Sequence, residues 1–440
     1  MAILAVALGL RVGYVLATPG YVPRHDDQKY DRLAVGVART GAYPDIAGRP
    51  TAYRPPGYTY FLAGVYTLSG TGPGRIEAGR LAQAAVGTLL VGLIGLLARR
   101  LFGPGTALLS MALAALYVPL ITAGTSLLAE PLTAAFTVGA VLAVLAWRDR
   151  PRWRWVVLAG VLAGLASLTR TNACVIVPAL ALGLFRRRPA RRSVWPAAAA
   201  VAVAVAVVAP WTARNAVVMH SFIPISDEAG GTLAGTYNPV SAHDPSSPGS
   251  WVLLARIPTY EAQVRPLAAG PENVYQSKLL SLALGYMGRH PLYVAKVAWY
   301  NTLRFFDLTG MARVRFTSTL AGVNSPAAAE AGAVCSWIVA ALAAVGVARR
   351  RVRQAVPLSV SLVPLLSFAS IVAVNMETPR FRLPLDPFLL VLAAAAVTHS
   401  RKRMKAASGR RWQPVPPSLS CRTRSSIWPG PRPAETQGPS

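Results

Sequence analysis

Long apolar runs separated by short basic loops dominate the chain. About ten such runs are legible, at 2–17, 80–98, 105–123, 127–146, 155–169, 172–185, 194–212, 330–348, 355–374 and 383–399. A hydrocarbon core about 30 Å thick takes roughly 20 helical residues. The runs are continuous rather than alternating, so they read as membrane-crossing helices and not as half-buried strands. The pattern predicts an all-α, polytopic membrane protein with about ten transmembrane helices. The first run is short and begins at Met1. It is either a true N-terminal span or the remnant of a mis-assigned start. A cleaved signal peptide is disfavoured, since no basic stretch precedes it and no small-residue cleavage site follows.

The polar intervals give the orientation. Arg99 and Arg100, Arg148 to Arg154, Arg186 to Arg192, Arg349 to Arg353, and Arg401 to Lys405 all fall on one side if the chain starts inside. Excess Lys and Arg marks the cytoplasmic face. Two long segments, 18–79 and 213–329, then lie outside, and both chain ends lie in the cytoplasm of a plasma-membrane protein. Parity also places 291–308 on the outer surface, because a crossing there would send the Arg349–Arg353 cluster outside. Pro291 suits a first helical turn. Lys296, Tyr300 and Arg304 form one polar stripe among apolar neighbours, the pattern of an interfacial helix able to contact lipid head groups. Residues 1–405 thus form a membrane domain. Residues 406–440, rich in Pro, Ser and Arg, are predicted to be a disordered cytoplasmic tail.

Composition narrows the class further. The 440 residues carry 45 Lys+Arg and 17 Asp+Glu, a net charge of +28, yet only 14% are charged and 53% are hydrophobic. A disordered chain has fewer apolar residues, and an ordinary soluble enzyme has about 25% charged ones. The basic excess is explained by topology, so no nucleic-acid partner is inferred. Cys174, Cys335 and Cys421 stand far apart and form neither a disulfide framework nor a zinc signature. The five histidines show no metal spacing.

Candidate chemistry concentrates in the first long loop. His25-Asp26-Asp27-Gln28-Lys29-Tyr30 opens a segment in which Tyr30, Leu33, Ala34 and Val37 have helical spacing and Gly41 can end the helix. Asp26 or Asp27 stands where an N-cap belongs, so a local structural role accounts for one acid. Tyr53-Arg54-Pro55-Pro56-Gly57-Tyr58 follows, stiffened by its two prolines. Two acids and an arginine at a bilayer surface suit transfer from a lipid phosphate. The carboxylate takes a proton from an acceptor hydroxyl, and the guanidinium holds the phosphate as it leaves.

The order Asp26-Asp27-x-x-Tyr30-x-x-Leu33-Ala34, Gly41-x-Tyr43, Arg54-Pro55-Pro56-Gly57 resembles the first loop of bacterial GT-C glycosyltransferases. That group includes the protein O-mannosyltransferases and the lipid A aminoarabinose transferases. Ala78-Gly79-Arg80-Leu81, Leu127 to Leu132, Gly164 to Arg170, Pro210 to Asn215, and Pro379 to Leu385 continue the likeness in order, over about residues 1–400. The resemblance implies an inverting membrane transferase with a polyprenyl-phosphate sugar donor and an acceptor in lipid, glycan or protein. By position it implies that Asp26 is the catalytic acid, that Asp27 takes the second acidic place, and that Arg54 lies near the donor phosphate, with Tyr30 and Tyr58 in support. The sequence as read predicts no long C-terminal soluble domain of the kind some relatives carry, which argues against a protein acceptor.

Other charged residues gather at the outer span ends. Glu130 is a candidate functional acid, or a helix-start residue ahead of Pro131. Arg170, Arg214 and Arg380 sit where positive charge is disfavoured. Arg170 and Arg214 either bind the donor phosphate or pair with Glu130 or Asp26, and Arg380 and Arg382 repeat the pattern beside Glu377 with the same two readings. A divalent metal on Asp26 and Asp27 is compatible with the pattern, although adjacency in sequence does not fix a shared ion. The competing reading is a carrier or flippase without transferase activity. It requires charges within spans and related halves, whereas the spans read as apolar at their centres.

Overall fold

The computed structural model describes residues 1–44, 49–188, 191–375 and 378–408, with backbone alone for 186–188, 191–193 and 399–408. Helices run in the order α1 (Ala2–Ala17), α2 (Asp26–Thr40), α3 (Pro56–Ser69), α4 (Arg75–Phe102), α5 (Pro104–Leu116), α6 (Val118–Ala123), α7 (Glu130–Asp149), α8 (Trp153–Thr169), α9 (Val177–Leu184) and α10 (Trp195–Val218). The second long loop holds α11 (Ala229–Thr236), α12 (Pro239–His243), α13 (Pro258–Val264), α14 (Glu272–Arg289), α15 (Pro291–Phe305) and α16 (Met311–Thr319). Then come α17 (Pro326–Ala348), α18 (Arg350–Ala355), α19 (Leu358–Val374) and α20 (Asp386–Ser408). The one sheet among the described residues is a hairpin of Arg186–Arg188 with Arg191–Ser193. The protein is therefore all-α and polytopic, as the apolar runs predict.

Four helices are long and apolar enough to cross a bilayer unaided: α4, α7, α10 and α17. The remaining predicted spans are occupied by shorter apolar helices. The run at 105–123 breaks into α5 and α6 around an extended Tyr117, and Pro119, which offers no amide to continue a helix, stands in the first turn of α6. The run at 172–185 opens as a 3-10 turn before α9.

The bundle core is built around α7, which is buried on nearly every side. Small residues let helices approach closely. A Cβ on Gly160 or Gly164 of α8 would lie 2.6–2.9 Å from carbonyl oxygens of α10, at Ala200 and Ala204. That close contact follows the small-residue packing of membrane helices, where no hydrophobic force between helices assists. One expectation fails here. The first span is not free of charge: Arg11 is fully buried in α1, donates to the Ala7 carbonyl, and lies against Gly87 and Gly124.

The two long loops meet on one face of the bundle. Helix α2 buries Tyr30, Leu33, Ala34 and Val37 against Tyr58, Leu62 and Tyr66 of α3, and it ends at Gly41 with φ +73°, as its spacing predicts. Loop two grips loop one. Glu272 accepts from the Thr51 hydroxyl and the Ala52 amide, while Arg49 donates to the carbonyls of Ala268 and Gly270. The polar stripe on α15 is corrected. Arg304 faces inward and donates to the Gly249 and Pro248 carbonyls, and the exposed positions include Leu292 and Trp299. The predicted tail beyond residue 408 and Glu377 lie outside the described residues.

Candidate active site

Six charged side chains from six separate segments meet where the loops cover the bundle. They alternate in sign as Arg170, Glu130, Arg380, Asp26, Arg54, Glu228. Asp26 stands in the first turn of α2, where a negative charge suits the helix dipole. Its two oxygens take different partners, Oδ1 the guanidinium of Arg54 and Oδ2 that of Arg380. Lys29 approaches Oδ1 at 3.8 Å. Arg54 precedes the prolines that start α3, and its other terminal nitrogen donates to Glu228 at 3.1 Å. Its guanidinium also lies 5.8 Å from the centre of the Tyr30 ring and 5.2 Å from that of Tyr53. Arg380, on the 3-10 turn Pro379–Arg382, places Nε 3.5 Å from Glu130 and donates to the Thr378 hydroxyl. Glu130 starts α7 and also pairs with Arg170.

Three carboxylates and three guanidiniums balance one another. Gathering them at low exposure (Arg380 6%, Glu130 2%, Asp26 24%) is expensive in desolvation and is not the cheapest route to stability. Burial opposes the charge on Asp26, but Arg54 and Arg380 outweigh it and hold the carboxyl well below the ordinary range. Burial dominates at Glu228 and pushes its carboxyl up, against the pull of Arg54.

The acidic pair of loop one divides its work. Asp27 accepts from the Tyr21 hydroxyl at 2.6 Å and from the amides of Arg24, His25 and Gln28. It thus organises the turn that presents Asp26, and the two carboxylates face different partners. Among the described residues no group of three or more His, Cys, Asp or Glu comes together to hold a metal. Arg214 also stands apart from the ionic chain. It donates to the Thr51 carbonyl at 2.8 Å and stacks over Tyr43 and Trp211, bracing loop one. Tyr30 and Tyr58 pack edge to face beneath Arg54.

Gly57 sets the spacing of the site. A Cβ there would stand 2.9 Å from the backbone of Leu168 and Thr169, so α3 seats directly on the end of α8, beside Arg170.

Glu228 and Asp227 are among the acids that sequence reasoning does not single out. Glu228 gives no periodic signal and reaches Arg54 across 174 positions. Asp227 beside it has both carboxylate oxygens occluded without a hydrogen-bond partner. Burial, aided by Glu272 and Glu228, pushes Asp227 up from 3.8 to about 7. A raised acid favours folding only while neutral, so stability falls as the pH climbs through about 4 to 7. Asp227→Asn is therefore expected to raise the melting temperature at pH 8 and to leave it nearly unchanged near pH 4. Equal shifts at both pH values would refute the assignment.

A second buried ionic group lies next to the first. Arg382 donates to Asp307 at 2.9 Å, to the Phe305 carbonyl at 2.7 Å and to the Ser336 hydroxyl at 2.5 Å, with Asp386 3.3 Å from its Nε. Arg380 and Arg382 both line a small pocket that also includes Asp307, Thr122, Ala123, Ala329 and Ala333. The pocket joins two guanidiniums to an apolar wall.

Comparisons with known proteins bear on this arrangement. The sequence profile of the dolichyl-phosphate-mannose-protein mannosyltransferase family matches residues 53–213, which include Arg54, Glu130 and Arg170. No curated protein sequence matches the chain. The fold is similar to that of the archaeal oligosaccharyltransferase AglB from Archaeoglobus fulgidus, solved with an inhibitory peptide and a dolichol-phosphate. Identity is 15%, the TM-score is 0.51, and the match covers 94% of this chain and 52% of that one. A structure of the same organism's oligosaccharyltransferase with zinc and sulfate gives 14%, a TM-score of 0.54, and 92% and 50% coverage. ArnT from Cupriavidus metallidurans bound to undecaprenyl phosphate gives 18%, 0.43, and 92% and 78%. The chain spans about half the length of the oligosaccharyltransferases it matches. The family match over residues 53–213 and the fold of the archaeal oligosaccharyltransferases agree with the GT-C resemblance read from the sequence.

Proposed function

We propose that the protein is an inverting membrane glycosyltransferase that moves a sugar from a polyprenyl-phosphate donor to an acceptor hydroxyl or amine outside the cytoplasm. The observation that carries this reading is Asp26 held between Arg54 and Arg380, with Arg380 also lining the apolar-walled pocket. Asp26 accepts the proton of the acceptor as its oxygen or nitrogen bonds to the anomeric carbon. The carbon–oxygen bond to phosphate breaks, and the phosphate leaves with the bonding electrons. Attack opposite the leaving group inverts the carbon. Arg380 and Arg54 stabilise the departing charge, with Glu130 and Arg170 holding Arg380 from behind. The apolar wall suits the isoprenoid chain. Asp27 positions Asp26, and Arg214 positions the loop.

The test uses purified protein in lipid vesicles with a panel of radiolabelled polyprenyl-phosphate sugars. At least one is expected to lose its label to water or an added acceptor at a rate that requires the protein. Protein-independent release across the whole panel would defeat the proposal.

A further inference from the structure

Both oxygens of Asp26 are engaged, Oδ1 by Arg54 and Oδ2 by Arg380, while Lys29 stands 3.8 Å away. A carboxylate bound on both sides by guanidiniums cannot collect a proton efficiently. One of the two, Arg380, also lines the pocket beside the site, so it faces both Asp26 and that pocket. Arg380 is thus placed to serve both Asp26 and an anion arriving through the pocket.

We infer that Asp26 and the phosphate of the donor lipid compete for Arg380 and Arg54, so that the arriving phosphate releases the carboxylate that must act as base. This rests on the glycosyltransferase reading above. Asp26 stands between the two guanidiniums and keeps them from repelling each other. When a phosphate takes over their donors, Asp26 loses its strongest stabilising partners and becomes a better proton acceptor. The base is then competent only when a donor is bound, which limits unproductive chemistry on other nucleophiles. The competition is reciprocal. Whatever the carboxylate gains from the arginines is lost from phosphate affinity. The ionic chain extends it, because Glu130 engages Arg380 from the other side.

The consequence is counter-intuitive for a residue placed at the heart of the site. Removing the negative charge of Asp26 should strengthen binding of the lipid phosphate. Equilibrium binding of undecaprenyl phosphate to the full-length protein in detergent, read by calorimetry, tests this. Asp26→Asn is expected to bind at least tenfold more tightly than the unmodified protein. Glu130→Gln is expected to move affinity the same way by a smaller factor, so one variant that misfolds does not remove the test. Inorganic phosphate and undecaprenol are expected to bind at least tenfold more weakly than undecaprenyl phosphate. Equal or weaker binding by both acid variants, with the unmodified protein still binding, would overturn the competition and leave the enzymatic reading standing. Binding of undecaprenyl phosphate by none of the three proteins would overturn that reading as well, and undecaprenol binding as tight as the phosphate would show that the guanidiniums are not the anchor.

Discussion

Asp26→Asn is expected to lower the turnover of sugar transfer by at least about 100-fold, the usual contribution of a positioned general base. Asn keeps the size of Asp and one oxygen for an arginine, but it cannot hold a proton taken from an acceptor. The fall should appear in kcat. The donor KM should stay level or drop, since the competing charge has gone. Asn removes the charge between two buried guanidiniums, so some loss of melting temperature is expected, and turnover is compared at a temperature where the size-exclusion profile matches that of the unmodified protein. A variant that retains its turnover would remove Asp26 from the chemistry. Transfer measured with the sugar found in the vesicle panel supplies the assay.

Arg382→Ala is expected to be the most damaging single change for stability. Its guanidinium is buried and neutralises Asp307 and Asp386, both buried as well. Removing the cation leaves two carboxylates in a low-dielectric interior. Breaking a buried pair in this way costs about 3–5 kcal/mol. The loss also reaches the active site. Arg382 ties the 3-10 turn to the end of α15 through the Phe305 carbonyl, and Arg380 lies two residues away on that turn. Thermal unfolding in detergent should show a large drop in melting temperature. Arg382→Lys should recover part of it, because a single ammonium can serve one acid but not the full set of acceptors. An unchanged melting temperature in Arg382→Ala would contradict this account.

Much of the architecture was legible in the apolar runs, because burial in lipid imposes a length and a composition that few other environments require. The breaks inside those runs, at Tyr117 and before Val177, were not read, although Pro119 and Pro178 were present to mark them. Asp26 and Arg54 were found because they lie in one loop at a recognisable spacing. Glu228 belongs to the same ionic chain yet comes from the other long loop, and nothing local in sequence pairs it with Arg54. The polar stripe of α15 shows the complementary limit. Helical spacing states which side chains share a face, but Arg304 points inward because carbonyls at Pro248 and Gly249 await it there. Likewise the acidic pair could not be divided from sequence. Only the turn amides around Asp27 reveal that one acid serves the backbone and its neighbour serves the site.

The absence of a side chain at position 57 has a consequence beyond packing. With α3 resting directly on the Leu168–Thr169 backbone, the distance separating the two arginine-bearing segments is fixed by main chain against main chain. Main-chain contact sets that spacing without depending on a side-chain rotamer, so Arg54 and Arg170 are carried by segments whose separation leaves no room for an added methyl group.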